Sequence, residues 1–162
     1  MVTCRRSIVF ILLLLVMKGS AQAPSDGNFF NWSQASAIPD ANGFAGSYAG
    51  VSNGVLLLAG GANFPDDKRP WTHGIKTWYD QIFMLEKPGA DWKEVGKLPR
   101  PMAYGVALTC ADGLICLGGG DANRNYADVF ILKYVAGKID TVQLPSLPSP
   151  LSNASGAVLN NV

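Results

Sequence analysis

The sequence predicts an all-β fold built from a repeated four-stranded unit, and three observations carry that prediction. The stretch Asn53-Gly54-Val55-Leu56-Leu57-Leu58-Ala59-Gly60-Gly61 recurs as Asp112-Gly113-Leu114-Ile115-Cys116-Leu117-Gly118-Gly119-Gly120, with Gly54 to Gly113 and Gly60 to Gly119 both 59 residues apart. A run rich in small residues precedes each copy: Gly43-Phe44-Ala45-Gly46-Ser47-Tyr48-Ala49-Gly50-Val51 and Ala103-Tyr104-Gly105-Val106-Ala107-Leu108-Thr109. A Trp also stands seven residues before a Pro twice, Trp32 with Pro39 and Trp92 with Pro99. Self-similarity at a period of this size marks a repeat architecture.

Each element of the unit has its own reason. Asn53-Gly54 and Asp112-Gly113 suit a two-residue hairpin turn, whose central positions need positive φ. The run after each turn is short and apolar on both faces, as in a strand packed between neighbouring sheets, and it ends in a glycine pair where backbones pass closely. Small residues before the turn suit a crowded place where several sheets converge, so this strand is innermost. A third strand is expected at Ile82-Phe83-Met84-Leu85 and at Val129-Phe130-Ile131-Leu132, 47 residues apart, which leaves the first unit's preceding loop 12 residues longer. The outermost strands are expected within Asp91 to Pro99 and Ile139 to Pro145, with Trp92 covering an edge. Residues 29–42 around Trp32 read as an outer closing strand, 43–101 and 102–150 as two complete units, and 151–162 as the start of a further unit with an inner strand near Ala154 to Val158.

The N-terminal segment stands apart. Arg5-Arg6 precede an apolar run from Ile8 to Met17 and then small residues, the pattern of a secretory signal peptide over residues 1–21. The run is too short to span a bilayer, and no later stretch reaches the necessary length, so no membrane insertion is expected after cleavage. Losing Arg5, Arg6 and Lys18 leaves 10 basic residues against 12 acidic ones, a balance with no nucleic-acid signature. Of the cysteines, Cys4 leaves with the signal. Counting outward from an Asp112-Gly113 turn sets Cys110 opposite Ile115 and Cys116 opposite Thr109, so the two are expected as thiols rather than a disulfide. One His and two unmatched cysteines do not make a metal set, and no cofactor is expected.

Four strands per unit, a glycine pair closing the second, a Tyr before the third and a Trp in the fourth resemble a kelch β-propeller. Closer motifs are Gly43-Phe44-Ala45-Gly46, Ala59-Gly60-Gly61-Ala62-Asn63-Phe64-Pro65, Gly74-Ile75-Lys76, Trp78-Tyr79-Asp80-Gln81-Ile82 and Arg100-Pro101-Met102-Ala103-Tyr104-Gly105-Val106. These resemble the bacterial N-acetylneuraminate epimerases, the sialic acid mutarotases. The resemblance implies a six-bladed kelch propeller, a periplasmic location, a small-molecule sugar acid as partner, and anomer interconversion by acid/base ring opening. In the family's usual order these motifs lie near the C-terminus, so the chain resembles its cyclically permuted branch and an N-terminal piece of it. The Gly-Glu segment followed by Pro-Gly and Arg, which holds the family's acidic catalytic residue, does not occur in these 162 residues. The resemblance therefore implies that this acidic residue lies beyond Val162, and no catalytic residue is assigned within the chain.

Ring opening needs a base for the anomeric hydroxyl proton, an acid for the ring oxygen, and donors for the carboxylate. The inserted loop offers Asp66, Asp67, Lys68, Arg69, Trp71, His73 and Lys76, and Arg100 and Tyr104 follow at the next junction on the same face. From these positions and the glycine-pair turn, Asn63, Arg69, His73, Arg100 and Tyr104 are the candidate substrate-binding residues. The competing reading makes the loop a solvated excursion and Tyr104 a packing residue. Two other classes stay open: a non-enzymatic propeller that binds glycan or protein, and a copper-radical oxidase, which needs several His and Tyr ligands.

Overall fold

A computed structural model describes residues 32–65 and 68–159. The expected signal segment 1–21, residues 29–31 of the expected outer strand, and Asp66 and Asp67 lie outside the described residues. So do Asn160, Asn161 and Val162, the last three residues of the expected further unit, and with them the point beyond which the acidic catalytic residue is expected. Among the described residues eight strands form two four-stranded antiparallel sheets, each a simple meander. The first contains β1 (Tyr48–Ser52), β2 (Val55–Asn63), β3 (Thr77–Leu85) and β4 (Lys93–Lys97). The second contains β5 (Val106–Cys110), β6 (Gly113–Leu117), β7 (Val129–Val135) and β8 (Lys138–Leu144). The expected strand order is the observed one, and the sheets are blades of a kelch-type β-propeller. Residues 32–38 and 154–158 carry no strand.

The register of the repeat differs from the spacing read off the sequence. Ser52 pairs with Val55, so Asn53 (φ 49) and Gly54 (φ 79) form the first hairpin turn as expected. In the second sheet Cys110 pairs with Gly113, so Ala111 and Asp112 take the turn and Gly113 opens the strand. Tyr48 pairs with Ala59 and Val106 with Leu117, which makes the true offset 58 residues rather than 59. The backbone agrees: Gly60 (φ 61) and Gly61 (φ 113) match Gly118 (φ 62) and Gly119 (φ 97), not Gly119 and Gly120. Ala59 then pairs with Ile82 and Leu117 with Val129, so the first loop is longer by 11 residues rather than 12. Cys116 stands opposite Ala107, and both Cys110 and Cys116 are free thiols.

The core lies between the two sheets. Tyr48, Val55, Leu57, Ala59, Ile82 and Met84 of the first meet Leu114, Cys116, Phe130 and Leu132 of the second. Side chains alternate along each strand, so the first sheet uses one face for this contact and the second sheet uses its opposite face. Gly50 permits the approach, because a Cβ there would stand 2.5 Å from Leu114 Cδ1. Polar groups are matched across the seam. The Tyr48 hydroxyl donates to the Gly118 carbonyl at 2.6 Å, the Val51 N–H donates to Thr109 Oγ1 at 2.9 Å, and the Tyr134 N–H donates to Ser52 Oγ at 3.0 Å. At the outer edge, the Trp92 indole donates to the Ser36 carbonyl at 2.9 Å.

A ladder of backbone bonds runs across the ends where the inner strands begin. The Tyr104 N–H donates to the Gly46 carbonyl at 2.7 Å, and the Asn153 N–H donates to the Tyr104 carbonyl at 2.7 Å. All three residues are left-handed, with φ of 67, 65 and 54. Parallel to it, the Gly61 N–H donates to the Met102 carbonyl at 3.0 Å and the Gly119 N–H to the Leu151 carbonyl at 2.7 Å. The segment after Asn153 thus approaches the second sheet as β5 approaches the first, with Gly156 packed against Val106 and Leu108.

Candidate functional site

The ladder end carries the polar concavities. A pocket of about 310 Å³ is lined by Lys76, Trp78, Tyr104, Asp121, Asn125 and Asn153, among others. A second, of about 190 Å³, shares Lys76 and Tyr104 and adds Asn42, Asn63, Phe64 and Arg69. Lys76 and Tyr104 are therefore the wall between the two.

Their placement follows from the backbone. The inserted loop closes on a single 3-10 turn, Pro70–Thr72, and returns to the sheet at Thr77, which sets Lys76 beside the ladder. The Lys76 ammonium stands 4.3 Å from the Tyr104 ring centroid and 5.4 Å from that of Trp78, both within range of a cation–π attraction. The Tyr104 ring lies on Gly46, where a Cβ would come within 2.5 Å of Tyr104 Cδ1. The Trp78 indole N–H is buried and has no acceptor among the described residues.

Across the larger pocket, Asp121 belongs to a tight turn. Its Oδ1 accepts from the Asn123 N–H at 2.7 Å and the Arg124 N–H at 3.0 Å, and its Oδ2 accepts from the Tyr126 hydroxyl. The Tyr126 hydrogen bond, reinforced by these two amides, holds the carboxyl below the usual carboxylate range. Asp121 is consequently a fixed, ionised acceptor and not a ready proton donor. The larger pocket thus gathers an ammonium, a carboxylate, a phenol and two Asn side chains on one lining.

The candidate residues separate into distinct roles. Asn63 is buried, donating from Nδ2 to Asp40 Oδ1 at 3.0 Å and the Gly43 carbonyl at 2.8 Å while accepting from the Tyr79 hydroxyl at 2.8 Å. It staples the mouth and lines the smaller pocket. Arg69 lines that pocket from an exposed position. His73 is exposed at φ 60 after the 3-10 turn and lines neither pocket. Arg100 is held elsewhere, 2.9 Å from Asp128 and 4.6 Å from the Tyr126 ring centroid, in a separate crevice of about 60 Å³. Tyr104 alone of the five lines both mouth pockets. Lys76 stands out among the loop charges only through its aromatic neighbours, and Asp121 carries the Asp-x-Asn turn signal Asp121-Ala122-Asn123. Among the described residues no three His, Cys, Asp or Glu side chains gather as metal ligands would, and no helix there is long and apolar enough to cross a membrane.

Fold and mouth together define a kelch-type propeller protein with a polar, aromatic-lined pocket where its inner strands begin. The family model of N-acetylneuraminate epimerase matches residues 19–141, and the chain belongs to that family. Among its relatives, the N-acetylneuraminate epimerase of Brucella suis is 35% identical, the match covering 64% of this chain and 30% of the relative. That of Salmonella enteritidis is 33% identical over 60% of this chain and 28% of the relative. The solved structure of YjhT superposes with a TM-score of 0.62 at 27% identity, covering 71% of this chain and 35% of the other. The chain thus spans under a third of the length of these curated relatives.

Proposed function

We propose that this chain forms the first two blades of an exported sialic acid mutarotase, which interconverts the anomers of N-acetylneuraminate by opening and closing its ring. The match of residues 19–141 to the epimerase family carries this reading. The mouth supports it, since about 310 Å³ lies at the small end of ligand sites and the lining combines hydrogen-bonding groups with aromatic faces.

In the reaction a base removes the anomeric hydroxyl proton, the carbon–oxygen ring bond breaks, and an acid protonates the departing ring oxygen. Reclosure on the opposite face of the resulting ketone gives the other anomer, and the two protons are returned. Asp121, ionised and fixed, suits the task of accepting a hydrogen bond from a sugar hydroxyl. The family's acidic catalytic residue is assigned to a position beyond Val162, because its Gly-Glu segment is not among residues 1–162. The leader at residues 1–21 fits export to the periplasm.

The test is to dissolve one pure anomer of N-acetylneuraminate and follow its conversion by proton NMR. The full-length protein should outpace buffer, chelator should leave its rate unchanged, and residues 1–162 alone should match buffer, because preorganised catalysis needs the groups of the other blades. A full-length rate no faster than buffer overturns the mutarotase reading in favour of a binding propeller.

A further inference from the structure

We propose that Lys76 is the cation that receives the substrate carboxylate, and that Tyr104 is the positioning residue that holds it in place. This rests on taking the mouth as the sugar-acid site.

Several cations of the two sheets are already engaged by a carboxylate. Arg100 is committed to Asp128 at 2.9 Å, Lys97 to Asp80 at 3.2 Å, and Lys133 faces Asp112 at 3.7 Å. Lys76 and Arg69, the two cations that line the mouth, have no carboxylate partner among the described residues; Arg69 lines the smaller pocket alone from an exposed position, whereas Lys76 lines both and lies against the rings of Tyr104 and Trp78. An aromatic face offsets part of an ammonium's charge but accepts none of its three N–H bonds in the directed way an oxygen does. The rings thus fix the position of Lys76 and leave its donors for an oxygen acceptor. Placed on the wall between pockets of about 310 and 190 Å³, it is within reach of a ligand in either.

The second observation concerns the backbone of Tyr104. The ladder places left-handed residues at three equivalent points, occupied by Gly46, Tyr104 and Asn153. Gly and Asn tolerate this conformation, whereas a bulky aromatic does so at a cost. An unfavourable conformation that the surroundings enforce is a pointer to function. Here the ring it displays is the one that lies under Lys76, and Gly46 leaves the space for it. The neighbouring Trp78 adds a second face and a buried N–H without an acceptor among the described residues.

The experiment uses the full-length protein, with N-acetylneuraminate and its uncharged methyl ester titrated by calorimetry. Lys76→Met should weaken binding of the acid roughly 10- to 100-fold, the range for a charge-assisted contact, and change the ester less than threefold. Lys76→Arg should recover most of the loss, and Lys76→Gln serves as a second neutral variant should methionine disturb the fold. Tyr104→Asn, the residue found at the next rung, should weaken the acid by a smaller factor of about 3 to 10 and again spare the ester. Equal losses for acid and ester in Lys76→Met, or no loss, overturn the assignment of Lys76. A lowered melting temperature with an unchanged acid-to-ester ratio in Tyr104→Asn returns Tyr104 to simple packing. Lysine-dependent acid binding without anomer exchange would sink the mutarotase reading and leave the anchor standing; exchange indifferent to Lys76 would do the reverse. Absence of acid binding by the unmodified protein overturns both.

Discussion

Leu56 and Leu114 occupy the same place in the two sheets, 58 residues apart, yet Leu56 is 39% exposed and Leu114 is fully buried. The difference does not lie in the strands. Leu114 sits on the face that meets the first sheet, where it packs against Gly50, while the matching face of the first sheet, with Val51 and Leu56, meets no sheet among the described residues. A repeated strand therefore carries two apolar faces, and its neighbours decide which of them become core. The loops differ in the same spirit. The longer loop of the first sheet delivers a cation to the mouth, and the shorter loop of the second delivers a carboxylate held by its own turn.

The largest test of this comparison is a pair of truncations in residues 1–162. Leu114→Ala should cost about 2–5 kcal/mol in a urea titration, and Leu56→Ala under about 1 kcal/mol. Equal costs would break the comparison. In a longer chain whose further blade covers the Leu56 face, the two values should converge, which makes the same pair a reporter of ring closure.

A smaller effect concerns the seam between the sheets. Tyr48→Phe should cost about 1–2 kcal/mol at neutral pH by leaving the Gly118 carbonyl unpaired. Burial raises the Tyr48 phenol above its ordinary value, with Cys116 and Asp128 adding to the shift, and burial likewise raises the Cys116 thiol. Both groups keep their protons longer in the folded chain than in the unfolded one. Their contribution is thus intact below the unfolded values, about 8.5 for a thiol and 10 for a phenol, and declines as pH rises past them. Denaturation midpoints should hold to about pH 8 and then fall, and Tyr48→Phe should flatten the part above about pH 10. An unchanged slope in that variant would remove Tyr48 from the explanation.

The smallest effect separates the cations. Arg100→Ala should lower stability by under about 1 kcal/mol, since its pair with Asp128 is partly exposed on both sides. It should leave the acid-to-ester binding ratio untouched, unlike Lys76→Met. A changed ratio would place Arg100 in ligand binding.

The strands of the two complete units were legible in the sequence because the Asn53-Gly54 turn, the apolar runs and the glycine pair each answer to a local backbone demand, whereas the strands expected around Trp32 and near Ala154 to Val158 do not form among the described residues. The offset was misread by one residue for an equally local reason. Gly118-Gly119-Gly120 offers two ways to align a glycine pair, and Asp112-Gly113 mimics the first turn although Gly113 belongs to the strand. Only the φ angles and the pairing of Cys110 with Gly113 distinguish them. The site was less legible, since residue type does not reveal which cation is already engaged. Arg100 and Lys76 differ in that an Asp from β7's approach stands beside one and two aromatic rings beside the other.

The rungs at Gly46, Tyr104 and Asn153 are bonded through backbone atoms alone, and each asks of its residue only a left-handed turn of the chain. The side chains of Tyr104 and Asn153 are consequently free of the backbone ladder, while Gly46 stays bare to make room for the Tyr104 ring. Rung spacing is unencumbered too, at 58 and then 49 residues, because loops of different length lie between one rung and the next. Such a row can be re-lined at its side-chain-bearing rungs, as a socket takes interchangeable bits, and the same frame can acquire a different appetite for ligands without any strand being rebuilt.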